Sequence, residues 1–219
     1  MTNGKGRAVR MNLEPFDWNV VVVGYWNPAI LTPRGIGRRL FELEENTPLM
    51  VEVPLDGLAA HRVRYGDLTV IPETGRLAVH ADDPKWDHLD RAREIAVRAI
   101  ESLPETPLNA AGFNIRVRIK EPSDRLLTVL TSGVDDLLSD AGFAISSRSL
   151  HRSLNHQDGV LNLNIHGAQE LRVEINFHRQ SSKREDLISW LRIPIGDVED
   201  AVERIFKKVL QTKFEGVGK

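Results

Sequence analysis

Apolar and polar residues alternate strictly from Phe113 to Lys120, with Phe113, Ile115, Val117 and Ile119 in one phase and Asn114, Arg116, Arg118 and Lys120 in the other. A period of two predicts a strand with one face on a core and one face open. The pattern returns in Val160 to His166 and in Leu171 to His178. There Leu161, Leu163, Ile165, Leu171, Val173, Ile175 and Phe177 are set against Asn162, Asn164, His166, Arg172, Glu174, Asn176 and His178. With Phe143 to Leu154 these segments predict a three-stranded meander turning at Asn155 to Gly159 and Gly167 to Glu170. Trp18 to Trp26 holds an unbroken β-branched run instead, which predicts a strand covered on both faces. Leu49 to Leu55 reads as a strand, His61 to Ile71 with Arg76 to His80 as a hairpin around Pro72 to Gly75, and Arg125 to Thr131 as strand.

Helical spacing takes over between these runs. Thr32-Pro33 supplies a hydroxyl N-cap and a proline at the first helical position, followed by Ile36, Leu40 and Leu43 on one face. Asp83-Pro84 repeats the signal ahead of Trp86, Leu89, Ala96, Ile100 and Leu103. Ser132 opens a short helix carrying Val134, Leu137 and Leu138, and Gly142 stops it. Ser182 with Glu185 predicts a capping box for a helix through Leu191. Pro194 and Gly196 break that helix, and Asp197 starts another with Val198, Ala201, Val202, Ile205, Phe206, Val209 and Leu210 on one stripe.

Both halves thus read strand, helix, three strands, long helix, at an offset near one hundred residues. The expected fold is α+β, two pseudo-repeats forming a mostly antiparallel sheet with helices packed on one face. Residues 1–14 are expected to be a flexible basic arm, 15–120 the first half, 121–212 the second, and 213–219 a frayed tail, with the halves able to form one continuous domain. Duplicated strand-helix-strand units are similar in architecture to those of sliding clamps and TATA-binding proteins, a likeness that fixes no function.

Composition narrows the chemistry. The 219 residues are 41% hydrophobic and 27% charged, as in an ordinary folded protein. Lys and Arg number 29 against 31 Asp and Glu, a net charge of -2, so neither half is a basic module of the kind that binds phosphate backbones by default. With no cysteine there is no disulfide, thiolate nucleophile or zinc-thiolate site. The longest apolar run, Val20 to Val23, is too short to span a membrane, and the N-terminus predicts no signal peptide. A cytoplasmic protein without cofactor is expected.

Candidate chemistry concentrates on the open face of the sheet, where Asn114, Arg116, Arg118, Lys120, Arg148, Asn162, Asn164, His166, Arg172, Asn176 and His178 are the expected binding residues. Asn, Arg and His donate hydrogen bonds in fixed geometry, and the same residues serve equally as the solvated side of an antiparallel sheet. Pro33 to Arg39, PRGIGRR, lacks the spacing of a phosphate loop and suits tight packing better. His151, His156 and Asp158 approach metal-ligand spacing, although turn chemistry explains them too. His166 and His178 could pair across strands. Asp82-Asp83 and Asp135-Asp136 sit at helix starts, where they complement the dipole. The four tryptophans lie in core patterns. The chain therefore reads as a noncatalytic binding or assembly protein that holds a protein partner or a second copy through the face or edge of its sheet. The alternatives are nucleic-acid binding through clustered arginines and the basic arm, and an enzyme built on a His/Asp site.

Overall fold

A computed structural model describes residues 13–55, 59–212 and 214. Nine strands form one antiparallel sheet: β1 (Leu13–Gly24), β2 (Met50–Glu52), β3 (Arg62–Tyr65), β4 (Leu68–Glu73), β5 (Arg76–Ala81), β6 (Leu108–Ile119), β7 (Arg148–His156), β8 (Gly159–Gly167) and β9 (Leu171–Gln180). Among the described residues six α-helices accompany them: α1 (Pro33–Arg39), α2 (Trp86–Ser102), α3 (Asp124–Leu130), α4 (Gly133–Asp140), α5 (Arg184–Leu191) and α6 (Ile195–Arg204), the last running into a π-helical turn, Ile205–Val209. The sheet order is β2-β3-β4-β5-β1-β6-β9-β8-β7, so the two longest strands, β1 and β6, pair at the centre. The fold class is α+β, as the two periodicities imply.

The expected repeat is not confirmed, because the two halves differ in their elements. His61 to Ile71 is two strands, because Gly66 turns the chain at φ +60 between β3 and β4. Arg125 to Thr131 is not strand but α3, whose N-cap Ser123 accepts a hydrogen bond from the Leu126 amide. A short apolar run fits either period, and here the cap decides it. The first half thus has four strands after its short helix, and the second has two short helices before three strands.

Several helix starts also differ. Thr32 caps α1 as expected, its hydroxyl accepting from the Gly35 amide at 3.1 Å. α2 begins after Lys85 rather than at Asp83, and α5 after Lys183, with Ser181 rather than Ser182 bonding Asp186. The strand expected from Phe143 starts only at Arg148. Leu13 and Glu14, expected in the arm, begin β1; residues 1–12 lie outside the described residues. Phe214, expected in the frayed tail, is buried with its ring 4.5 Å from that of Phe206.

The core lies between the sheet and its helices. α2 packs on β5 and β1, and α5 on β6 and β9. Phe113, Ile115, Val117 and Ile119 are buried, joined by Trp18, Trp26, Trp86 and Trp190. Trp18 and Trp86 meet with ring centroids 4.5 Å apart. On β1 Trp18, Val20 and Val22 are fully covered, while on the other face Asn19 is buried, Val21 half-buried and Val23 exposed, so the second face is covered only in part. In the last helical stretch Val209 is exposed rather than on the buried stripe.

Candidate functional site

The polar phase of each strand faces away from the helices, and the strand register turns it into rows. One row crosses the whole sheet: Met50, Arg64, Thr69, His80, Asn19, Asn114, Asn176, Asn162 and Ser153 are successive cross-strand partners. Its central part is one chain of side-chain hydrogen bonds. Ser153 donates to Asn162 at 2.7 Å, Asn162 to Asn176 at 3.1 Å, Asn176 to Asn114 at 2.9 Å, Asn114 to Asn19 at 2.8 Å and Asn19 to Asp17 at 3.0 Å. Every bond points the same way, toward the Asp17 carboxylate. A bulge in β1 between Phe16 and Asn19 sets Asp17 at φ 47, a conformation Asp tolerates, and aims its carboxylate along the row. His80 Nδ1 lies 2.9 Å away and the Arg116 guanidinium 2.6 Å away. The Asp17 pKa is lowered to about 2, chiefly by the His80 hydrogen bond, with the Arg116 charge and the Asn19 hydrogen bond adding to it against burial.

The cations of β6 are engaged within the molecule. Arg116 also lies 3.5 Å from Glu174, Arg118 pairs with Glu170 at 2.7 Å and Glu14 at 3.4 Å, and Lys120 pairs with Glu14 at 2.9 Å. The hydrogen bond from Lys120, then the charges of Lys120 and Arg118, hold Glu14 below the usual carboxylate range. Arg118 further stacks over Phe16, 5.1 Å from its centroid. These arginines therefore tie β1, β6 and the β8–β9 end of the sheet together. A free cationic surface, the centre of the sequence expectation, is not what β6 presents.

The other expected residues divide. Asn114, Asn162 and Asn176 join the row, and Asn164 meets His151 at 2.5 Å beside it. His166 lies opposite Arg172, but His178 lies opposite Val160, so the two histidines do not pair across strands. Arg148 belongs to the helix side: it shares its phase with Leu150 and Leu154, which pair with core Ile165 and Leu161, and its guanidinium meets Asp135 of α4 at 2.5 Å. Asn19, Asp17, His80 and Ser153 were not anticipated. The signal for Asn19 is a single polar residue opening the run NVVVV.

The remaining motifs are explained by packing. His151 is on the open face, bonded to Ser153 and Asn164. His156 is on the helix side, edge-on to Phe177 and Trp190 at 5.3 and 6.4 Å. Burial, then the Arg204 charge, lowers the His156 pKa. No group of three or more potential metal ligands occurs among the described residues. In PRGIGRR a Cβ on Gly35 would collide with the Ile30 carbonyl and one on Gly37 with Leu49, so both glycines serve close packing.

A different surface stands out at the β7 end. Among the described residues no strand lies outside β7. Along it, α3, α4 and β7 line a groove of about 370 Å³ that includes Val129, Leu138, Asp135, Arg148 and Arg152. α4 has no buried residue, and Val134, Leu137 and Leu138 share one of its faces. With Val129, Phe143 and Leu154 they are exposed by between 39% and 69%. An unpaired strand can template pairing with another chain, and exposed apolar patches mark surfaces where other molecules bind. No described helix is long and apolar enough to cross a membrane. Comparison with known proteins finds no matching family model, no matching curated protein and no matching solved structure.

Proposed function

We propose that the chain is a noncatalytic binding or assembly protein that holds a protein partner, or another copy of itself, at the β7 end of its sheet. The observation that carries this reading is the coincidence of a nine-residue edge strand bearing the exposed Leu154, a groove along it lined by the exposed Val129 and Leu138, and the uncovered apolar face of α4. Fully burying a side chain of this kind from full exposure contributes about 1.5–3 kcal/mol, and these start 39% to 69% exposed, so each adds about half of that toward a complex. The open face favours the same class of partner over nucleic acid. Phosphate binding needs cations free to replace counterions, whereas Arg116, Arg118 and Lys120 each already face carboxylates.

Sedimentation of the full chain over a range of concentrations, together with affinity capture from its native cell, tests this reading. Self-association or a captured protein should be lost in Leu137→Asp and Phe143→Asp variants that melt like the parent. A strict monomer whose captured set is the same in parent and variants would overturn it.

A further inference from the structure

We infer that the partner at the β7 edge is a second copy of the chain, added by antiparallel pairing of β7 with its own counterpart around Arg152. The inference rests on the assembly reading above and specifies its partner. Two-fold pairing requires a strand to be its own complement, because residue i must meet j wherever j meets i. β7 reads Arg-Ser-Leu-His-Arg-Ser-Leu-Asn-His, and its two leucines, Leu150 and Leu154, stand two places either side of Arg152. Centred there, each Leu150 lies opposite Leu154 of the other copy on the helix side. There the half-exposed Leu154 gains an apolar neighbour, flanked by the exposed face of α4. Centring on His151 or Ser153 instead sets a leucine against Arg152.

The open face agrees with the same register. His151 of one copy comes opposite Ser153 of the other, and these two side chains already bond within one chain, His151 Nε2 to Ser153 Oγ at 3.1 Å. Ser153 is the last member of the amide row, so the row of each copy ends against His151 of the other. Centring at Arg152 also keeps residues of like phase opposite each other, so both helix layers fall on one side of the joined sheet. The first half shows what a covered edge looks like: β3 has β2 outside it, while no described strand occupies the matching position outside β7.

One feature opposes the pairing and so marks it. The two Arg152 side chains meet at the dyad, and like charges directly opposite on a sheet are unfavourable. Association should therefore strengthen with added salt, and Arg152→Thr should tighten it about two- to five-fold.

The chain has no cysteine, so single introduced cysteines report the register without background. Under mild oxidation Arg152→Cys should form a disulfide-linked dimer. An equimolar mixture of Ser149→Cys and Asn155→Cys should cross-link while neither does so alone, since those positions face each other only across the dyad. This mixture keeps Arg152 and so does not depend on removing its charge. A complex that is lost in Leu137→Asp but cross-links in neither experiment would overturn self-pairing and leave the assembly reading standing. A chain that stays monomeric at all concentrations, captures no partner and fails to cross-link would overturn both.

Discussion

The two edges of the sheet are built on opposite principles. β2 is three residues long and carries Glu52, 3.9 Å from Arg62 of β3. It also exposes Met50 and Val51, but over a stretch too short to template a long pairing. β7 is nine residues long, contains neither proline nor lysine, and stands beside a helix whose apolar face is uncovered. Short edges and charges are the devices by which sheets avoid each other, and only one end of this sheet uses shortness. The difference teaches where to look for association: the β7 end, rather than the β2 end or the charged centre.

The sharpest way to break the comparison is to charge each edge in turn. Leu137→Asp together with Phe143→Asp should weaken association by more than tenfold, while Val53→Asp beside β2 should leave it unchanged. Sedimentation equilibrium on both variants reads the contrast directly, and equal losses would dissolve it.

A second effect separates the edges from the centre. Asn114→Ala removes a donor and an acceptor from the middle of the amide row, leaving Asn19 and Asn176 without their partner. The expected cost is about 1–3 kcal/mol in chemical denaturation, with no change in association by the β7 edge.

Acid should act on the centre as well. A carboxyl with a lowered folded pKa stabilises the fold above its unfolded pKa and loses that contribution as pH falls through the folded value. For Asp17 the window runs from the ordinary 3.8 down to about 2. Its side chain is 42% exposed, so solvent screening reduces the contribution to about 1 kcal/mol. Stability measured from pH 5 to pH 2 should fall more steeply for the parent chain than for Asp17→Asn, and parallel curves would remove Asp17 from the account.

The smallest expected effect lies outside both regions. Thr32→Ala removes the α1 cap and should cost about 1 kcal/mol or less in stability, with association unaffected. A thermal melt is sufficient to check it.

The strands of the second half were legible because their alternation is strict: Leu161 to Ile165 and Leu171 to Phe177 could face the core in only one way. The central strand was legible for the same reason, and its four apolar residues are buried as expected. The hairpin turn at Gly66 leaves only a phase change in the sequence: Val63 and Tyr65 hold the apolar phase before Gly66-Asp67, and Leu68 and Val70 hold the other after it. α3 was hidden because Leu126, Leu127, Val129 and Leu130, in a segment of seven residues, satisfy both periods. The row of amides was beyond reach for a different cause. Each asparagine could be assigned to a face, but which residues stand side by side depends on register between strands as far apart in sequence as Asn19 and Asn114. The neutralisation of Arg116 and Arg118 has the same origin, because Asp17 and Glu14 arrive from ninety-nine or more residues away.

The single direction of the amide row makes it more than a set of bonds. No amide can rotate to exchange its oxygen and nitrogen without setting two donors or two acceptors against each other, so the row must reverse as a whole or not at all. The Asp17 carboxylate, which only accepts while ionised, selects one of the two senses for five strands at once. The sheet therefore holds a binary state with its setting at one end. Protonating Asp17 weakens the preference between the senses, leaving the Asn176 donation to the Phe113 carbonyl, and exchange between them would appear as broadening of the asparagine side-chain amide signals in solution.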